Sequence, residues 1–464
     1  MFDLLIKNAR IVTENDIFSG FIGIKDSKIV ALGTSFGDSA ARTIDAAGSF
    51  ALPGGVDPHV HIRYPGGTLR ETFTTGTRAA AAGGVTTIIE HPISSPPQYS
   101  PETLKTRIDA AKDEAVVDIA FLGAAGGKYV SEIERLAHAG VYGYKTFLHA
   151  APEGREKEFI GLTSETNYEL YNVMSAVKKT GLLMAAHGED NDYISGAISA
   201  LRREGKTSPI CHALSRPPIA EILAVDRLIR IAEEIGARLY LVHISTPEAV
   251  EAAISARRRG MEIWVETCPQ YLYLTEKTLA ELGPYAKCNP ALRDEVRVKK
   301  MWDYIKDGTI DTIGSDHSPY TADEKERDPS DIFRVPSGFP GLENRFGLVM
   351  KAVSENKISL QRAVELISTN PAKAFDLYPR KGAIKIGADA DIVICDPFKK
   401  FIVKKELMET MARETAKVYD GWELCGVIGS VILRGKVIVD NQTVTGKPGY
   451  GKCLLKTEDN TDSQ

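Results

Sequence analysis

The sequence predicts a (β/α)8 TIM barrel flanked by a small β-sandwich domain that the two chain ends build together. Eight apolar runs of strand length alternate with segments of helical length through the middle of the chain. Residues able to do chemistry recur at the carboxyl ends of those runs, and both chain ends alternate in strand fashion.

In chain order, Phe21-Ile22-Gly23-Ile24-Lys25 and Lys28-Ile29-Val30-Ala31-Leu32 read as strands joined by a turn at Asp26-Ser27. Runs at 55–62, 85–92, 117–124, 141–148, 182–188, 239–245, 262–268 and 310–316 read as strands buried on both faces. Between them, 70–82, 101–114, 165–180, 218–235 and 247–259 are amphipathic or Ala-rich and long enough for helices. Such strands separated by helices form a parallel sheet, and eight units in this length fit the barrel, whose active site lies at the strand carboxyl ends. Segments 390–394 and 430–438 are again strands and are expected to join 1–52. The expected division is 53–374 for the barrel, with 1–52 and 375–464 for the sandwich. The polar tail, 457–464, is expected to fray or to rest on a neighbouring subunit.

Composition narrows the function. The 464 residues are 43% hydrophobic and 26% charged, an ordinary globular balance. Net charge is −5, from 57 basic and 62 acidic residues, with no basic block to suit nucleic acid or an anionic membrane. The opening Met1-Phe2-Asp3-Leu4-Leu5 lacks the basic and apolar regions of a secretory leader, and no apolar run is long enough to span a membrane. Six cysteines without CxxC spacing read as reduced thiols, so a cytoplasmic location is expected.

Six residues at strand ends form a candidate metal set: His59, His61, Lys145, His187, His243 and Asp316. His59 and His61 are two apart and so project from one face of a strand as a chelating pair. One strand-end histidine is commonly structural, but six coincidences of register favour a metal site. Three or four imidazoles and a carboxylate would serve one metal, as in a deaminase. Lys145 changes the count. An ammonium has no lone pair, but burial beside cations favours the free amine, which carbon dioxide converts to a carbamate. That carboxylate-like group can bridge two ions, with His59, His61 and Asp316 on one and His187 and His243 on the other. Two metals would activate a water, and Asp316 would take its proton and pass it to a leaving nitrogen. His91 and His149 are candidate substrate contacts, and His317 is expected to orient Asp316.

These residues resemble the cyclic amidohydrolases, namely hydantoinases and dihydropyrimidinases, with allantoinases and dihydroorotases close by. Pro53-Gly54-Gly55-Val56-Asp57-Pro58-His59-Val60-His61, Glu266-Thr267-Cys268-Pro269-Gln270-Tyr271-Leu272, Lys287-Cys288-Asn289-Pro290-Ala291-Leu292-Arg293 and Gly314-Ser315-Asp316-His317 carry the resemblance, which covers the whole chain. It implies a carbamylated Lys145, two divalent ions (zinc, with manganese or cobalt as alternatives), substrate contacts at Asn289 and Gly338, a cyclic ureide or imide substrate, and a homotetramer.

Departures bear on the substrate. Dihydropyrimidinases place a tyrosine where this chain has Ala150. Arg63 extends the first motif to His59-x-His61-x-Arg63, which resembles the carboxylate-binding arginine of dihydroorotases; His91-Pro92-Ile93 replaces the Met-Pro-Asn that would complete that site. Arg63 is therefore either a substrate contact or an ion pair at the barrel mouth. Ile93, Phe147 and Phe339 are expected to form an apolar wall for a ring substituent. The reading is a binuclear hydrolase that opens a hydantoin-like ring to an N-carbamoyl product. Allantoinase and dihydroorotase activities are the nearest alternatives, and a non-catalytic scaffold of the same fold is the distant one.

Overall fold

A computed structural model of the chain describes residues 1–35 and 39–456, so the polar tail at 457–464 lies outside the described residues. Eight parallel strands form the barrel: β6 (Gly55–Val60), β7 (Val85–Glu90), β8 (Asp118–Ala124), β9 (Gly143–Phe147), β10 (Leu183–His187), β11 (Leu239–Leu241), β12 (Ile263–Thr267) and β13 (Thr312–Ile313). Every neighbouring pair from β6 to β13 is hydrogen-bonded in parallel. The expected helices form at Phe73–Ala82, Pro101–Lys112, Asn167–Thr180, Pro218–Ile235 and Pro247–Arg258. Thr72, Ser100 and Thr166 each cap a helix through a reciprocal capping box, which satisfies the first free amides.

The ring closes between β6 and β13 without a long ladder. Val60 bridges His317, the His61 amide donates to the His317 carbonyl at 2.9 Å, and the Ser315 amide donates to Asp57 Oδ1 at 3.1 Å. From the helix Leu342–Ser354, the buried guanidinium of Arg345 donates to the carbonyls of Val56 (3.1 Å) and Ile313 (2.9 Å) and sits 3.4 Å from Asp57. One side chain thus stitches the seam from below. Val56, Ile89, Leu122, Tyr142, Ala185 and Tyr240 belong to the core under the site, and Phe375 packs at a tilt against Tyr240, 5.0 Å between ring centres, to plug it. Burying each large apolar side chain contributes about 1.5–3 kcal/mol, so the floor is firm.

The chain ends meet as expected and build a separate mixed sheet of nine hydrogen-bonded strands. Its members are β1 (Phe2–Val12), β2 (Ile17–Lys25), β3 (Lys28–Gly33), β4 (Ala40–Asp45), β5 (Phe50–Pro53), β14 (Ile392–Ile402), β15 (Glu423–Leu433), β16 (Lys436–Asp440) and β17 (Thr443–Val444). The junction is β5, parallel to β1 on one side and antiparallel to β14 on the other. Asp26 and Ser27 both have positive φ (49° and 68°), the primed turn that matches strand twist between β2 and β3. A short last strand, β18 (Cys453–Leu454), pairs with β8. Beside it, Lys381 Nζ donates to Asp118 (2.6 Å) and Asp391 (2.7 Å) and lies 3.0 Å from Asp389, so these three buried carboxylates surround an ammonium and tie barrel to sheet.

Candidate active site

The strand ends deliver the metal-ligand candidates into one mouth. His59 follows Asp57, whose Oδ1 accepts from the His59 amide at 3.2 Å and so fixes the last turn of β6. Lys145 projects from β9, and His187 ends β10. His243 and Asp316 lie just beyond β11 and β13 with φ of 41° and 48°, and Arg63 beyond β6 has φ of 62°. Non-glycine residues in this left-handed region carry about 1–3 kcal/mol of strain each, and here it turns the side chains across the mouth.

Two groups of donors result. Nε2 of His59 and of His61 stand 3.4 and 3.5 Å from Asp316 Oδ1. Nδ1 of His187 and Nε2 of His243 face each other at 2.9 Å. These are the two groups that the sequence reading assigns to two separate ions. The far side of each group is held by a carboxylate: His59 Nδ1 meets Glu266 Oε1 at 2.7 Å, and His187 Nε2 meets Glu189 Oε2 at 2.8 Å. Glu266 also accepts from the His243 amide (2.8 Å) and the Tyr240 hydroxyl (2.9 Å), and Arg216 pairs with Glu189. Such partners fix the ring orientation and raise the basicity of a ligating imidazole.

Burial, reinforced by mutual repulsion with neighbouring cationic groups, pushes the pKa of His59, His61 and His243 well below the ordinary imidazole value. Burial also lowers that of His187, against the pull of Glu189. The rings are neutral and keep lone pairs. Lys145 is fully buried, its Nζ has no hydrogen-bond partner, and burial lowers its pKa to about 7. Burial raises the carboxyl of Asp316, opposed by Lys145 and Arg63. An amine left unpaired and deprotonatable among four neutral imidazoles is a poor structural element but a suitable precursor of a metal-bridging carbamate. The donor set therefore fits two divalent ions.

Above the ligands opens a cavity of about 380 Å³. Its apolar side is Ile93, Phe147 and Phe159, which pack together, and its polar side includes Arg63, His149, Asn289, Ser318 and Gly338. Asn289 Oδ1 is buried without a partner. Gly338 has φ of 124°, and a Cβ there would fall 2.4 Å from Ser318 Oγ, so only glycine fits. Arg63 gives its fork to the protein: Nη1 donates to Glu158 (3.2 Å), Nη2 donates to Ser318 Oγ (2.6 Å), and the guanidinium lies 4.7 Å from the Tyr320 ring centre.

A model of the amidohydrolase family matches residues 50–438. The chain belongs to the amidohydrolase family. It is 35% identical to a D-hydantoinase of Ralstonia pickettii, over 98% of this chain and 99% of that one. It is also 35% identical to an allantoinase of Bacillus licheniformis, with the same coverage. Among solved structures, an L-hydantoinase (dihydropyrimidinase) from Arthrobacter aurescens superposes with a TM-score of 0.94 at 30% identity, covering 98% of this chain and all of that one.

Within this amidohydrolase, three sequence expectations need correction. Phe339 is not part of the cavity wall; it packs against Tyr419, at 6.4 Å between ring centres, and Phe159 takes its place. His317 does not orient the Asp316 side chain. Its Nδ1 accepts from the Gly341 amide at 3.3 Å, and its Nε2 faces Glu71 at 3.4 Å, because successive residues leave a strand on opposite sides. His91 does not line the cavity. It stacks on His59 at 3.9 Å and donates from Nε2 to the Pro58 carbonyl at 2.9 Å, and its nitrogens group with those of His59 and His61. Nearly parallel rings (14°) cannot both aim in-plane lone pairs at one ion, so His91 braces His59 instead of joining it. Sequence reasoning did not assign roles to Glu266, Glu189, Arg216, Glu158 or Phe159. Only Glu266 carried a sequence signal, as a carboxylate inside a buried strand.

Proposed function

We propose that this amidohydrolase is a binuclear metal-dependent hydrolase that opens a hydantoin-like ring to an N-carbamoyl product. One observation carries the reading: the buried, unpartnered Lys145 Nζ stands in the same mouth as the four neutral histidines and Asp316. His59, His61 and Asp316 would hold one ion, His187 and His243 the other, and carbamylated Lys145 would bridge them. When bound, two divalent ions supply Lewis acidity toward the ring carbonyl and lower the pKa of water.

The remaining chemistry belongs to the chain. Asp316 is placed to take a proton during attack and to deliver it to the departing ring nitrogen, and its raised pKa suits a group that must hold a proton briefly. Ile93, Phe147 and Phe159 exclude water and accept an apolar ring substituent, while Asn289 Oδ1 offers an acceptor to a ring N–H. A panel of hydantoin, a 5-aryl hydantoin, dihydrouracil, allantoin and dihydroorotate tests the choice. Turnover confined to dihydroorotate, or absent throughout, overturns it.

Metal content is the direct check on the site. Purified active protein is expected to hold close to two divalent ions per chain, zinc or in its place manganese or cobalt, with activity lost to a chelator and restored by these ions. Elemental analysis that finds one ion in fully active protein contradicts the binuclear arrangement.

Because Nη1 and Nη2 of Arg63 already donate to Glu158 and Ser318, leaving only the buried Nε without a partner, the residue supports the mouth and does not present a free fork to a substrate carboxylate. Arg63→Ala is expected to change kcat/KM on neutral hydantoins by less than about tenfold, or about 1.4 kcal/mol. Efficient wild-type turnover of dihydroorotate that collapses only in this variant would reverse the assignment. The proposed assembly is a homotetramer, supported by apolar side chains exposed on neighbouring helices (Tyr168, Tyr171, Leu214, Leu223), and light scattering measures it.

A further inference from the structure

The cavity is roofed by the segment 332–338, a single 3-10 turn (Ile332–Arg334) followed by irregular backbone as far as Gly338. Backbone without a helix or strand must find other partners for its carbonyls when it is buried. Here two buried lysines supply them. Lys287 Nζ donates to the carbonyls of Ile332 (2.8 Å) and Val335. Lys325 Nζ donates to those of Pro284 (3.0 Å) and Pro336 (3.0 Å), joining the segment that carries Asn289 to the roof. A third link runs the other way, from the Gly338 amide to the Lys287 carbonyl at 2.8 Å. Neither ammonium has a carboxylate within salt-bridge distance among the described residues, although both side chains are buried.

A lysine buried without a counter-ion is costly, and an apolar residue of similar length would fill the space at less cost. What the apolar residue would not provide is N–H donors to the carbonyls of Val335 and Pro336, which accept from these lysines, while those of Ile332 and Pro284 also accept the Val335 and Lys287 amides. Burial lowers the pKa of both lysines, Lys325 to about 7, and a neutral amine carries two N–H groups, the number used at each site. We infer that Lys287 and Lys325 are positioning residues that clamp the 332–338 roof onto the Pro284–Asn289 segment and so set the affinity of the pocket for its ring substrate. They touch no reacting atom, so their effect falls on KM. Gly338, already confined by Ser318, has no lateral slack, and a loosened clamp displaces it together with Asn289 across the pocket.

The kinetic part of this inference rests on the proposed hydrolase reading; the structural part does not. Lys287→Met and Lys325→Met are to be compared with the wild-type holoenzyme, with hydantoin as the substrate probe. KM is expected to rise by at least about tenfold with kcat within about threefold of wild type and with metal content unchanged. The amides of Val335 and Gly338, which donate to the Ile332 and Lys287 carbonyls, are expected to exchange at least about tenfold faster, while those of β9 and β10 keep their protection. Lys287→Gln and Lys325→Gln retain two N–H donors and replace the methionine variants if those do not fold; they are expected to recover part of the affinity. Unchanged exchange at Val335 and Gly338 overturns the clamp, and faster exchange with unchanged KM overturns its role in affinity. If the wild type does not open hydantoin, the hydrolase reading fails, and the exchange comparison still decides the clamp.

Discussion

Lys145→Ala is expected to abolish turnover, by at least about 10⁴-fold in kcat, or about 5.5 kcal/mol of barrier. The size follows from what the residue lacks as well as from what it offers. Lys145 Nζ has no hydrogen-bond partner in the fold, so its removal breaks no bond that holds the barrel together. The floor under it, from Val56 to Phe375, is untouched by the change. Removing a buried amine also relieves a desolvation cost, which offsets the cavity left by the shortened side chain. Stability and activity should therefore separate: the melting temperature stays within a few degrees while turnover and full metal loading disappear. Added formate or acetate is expected to restore a fraction of activity by filling the bridge position. Near wild-type turnover in Lys145→Ala would rule out the carbamate and leave a site built on the histidines and Asp316 alone.

That separation reflects how the sequence encodes the two halves of the molecule. The barrel was legible because a strand buried on both faces writes a continuous apolar run, and eight runs between helices leave few other topologies. The candidate metal ligands could be picked out for a related reason. His59, His187 and Asp316 sit at or near the ends of their runs and Lys145 two residues before the end of β9, and parallel strands bring equivalent ends together. Residues that act across the fold wrote no such pattern. Glu266 reaches His59 across 207 positions of sequence, a pairing that only tertiary structure creates, and Glu189, though two residues from His187, is held there by Arg216 from a separate segment. Phe159 replaced Phe339 in the cavity wall because residues 150–162 fold back over the mouth, a path that periodicity does not specify. His317 was misread for a local reason: neighbours in sequence at a strand end point to opposite sides, and adjacency to Asp316 therefore argued against a shared role.

The end sheet shows the same limit. Strand alternation identified its members, but the single short element that joins them wrote no pattern of its own. Strand β5, only Phe50–Pro53, carries hydrogen bonds to both β1 and β14 and so fuses the halves into one sheet. The same strand leads within two residues into β6, which ends in the His59-x-His61 pair. Sheet and site are thus mechanically adjacent, and the buried Lys381 cluster fixes a second point of contact at the base of β8.

Asp316→Asn should separate metal binding from proton transfer. The substitution is isosteric, keeps one oxygen in place toward His59 and His61, and removes the ability to accept a proton. General acid–base catalysis contributes about 10²–10⁴-fold, and in the proposed mechanism one carboxylate serves both attack and departure of the ring nitrogen, so kcat is expected to fall by about 10³-fold or more. The left-handed backbone at Asp316 (φ 48°) tolerates asparagine as well as aspartate, so the fold should be unaffected. Elemental analysis should still find metal bound, with at most a modest loss of occupancy at the His59–His61 side. A substrate with a better leaving nitrogen should suffer less from the change, because protonation of that atom matters less to its transition state. If Asp316→Asn keeps more than about a tenth of wild-type turnover with both ions present, the proton carrier is another group. His149, on the cavity wall with its Nδ1 donating to the Ala150 carbonyl at 2.7 Å, would then be the next residue to test.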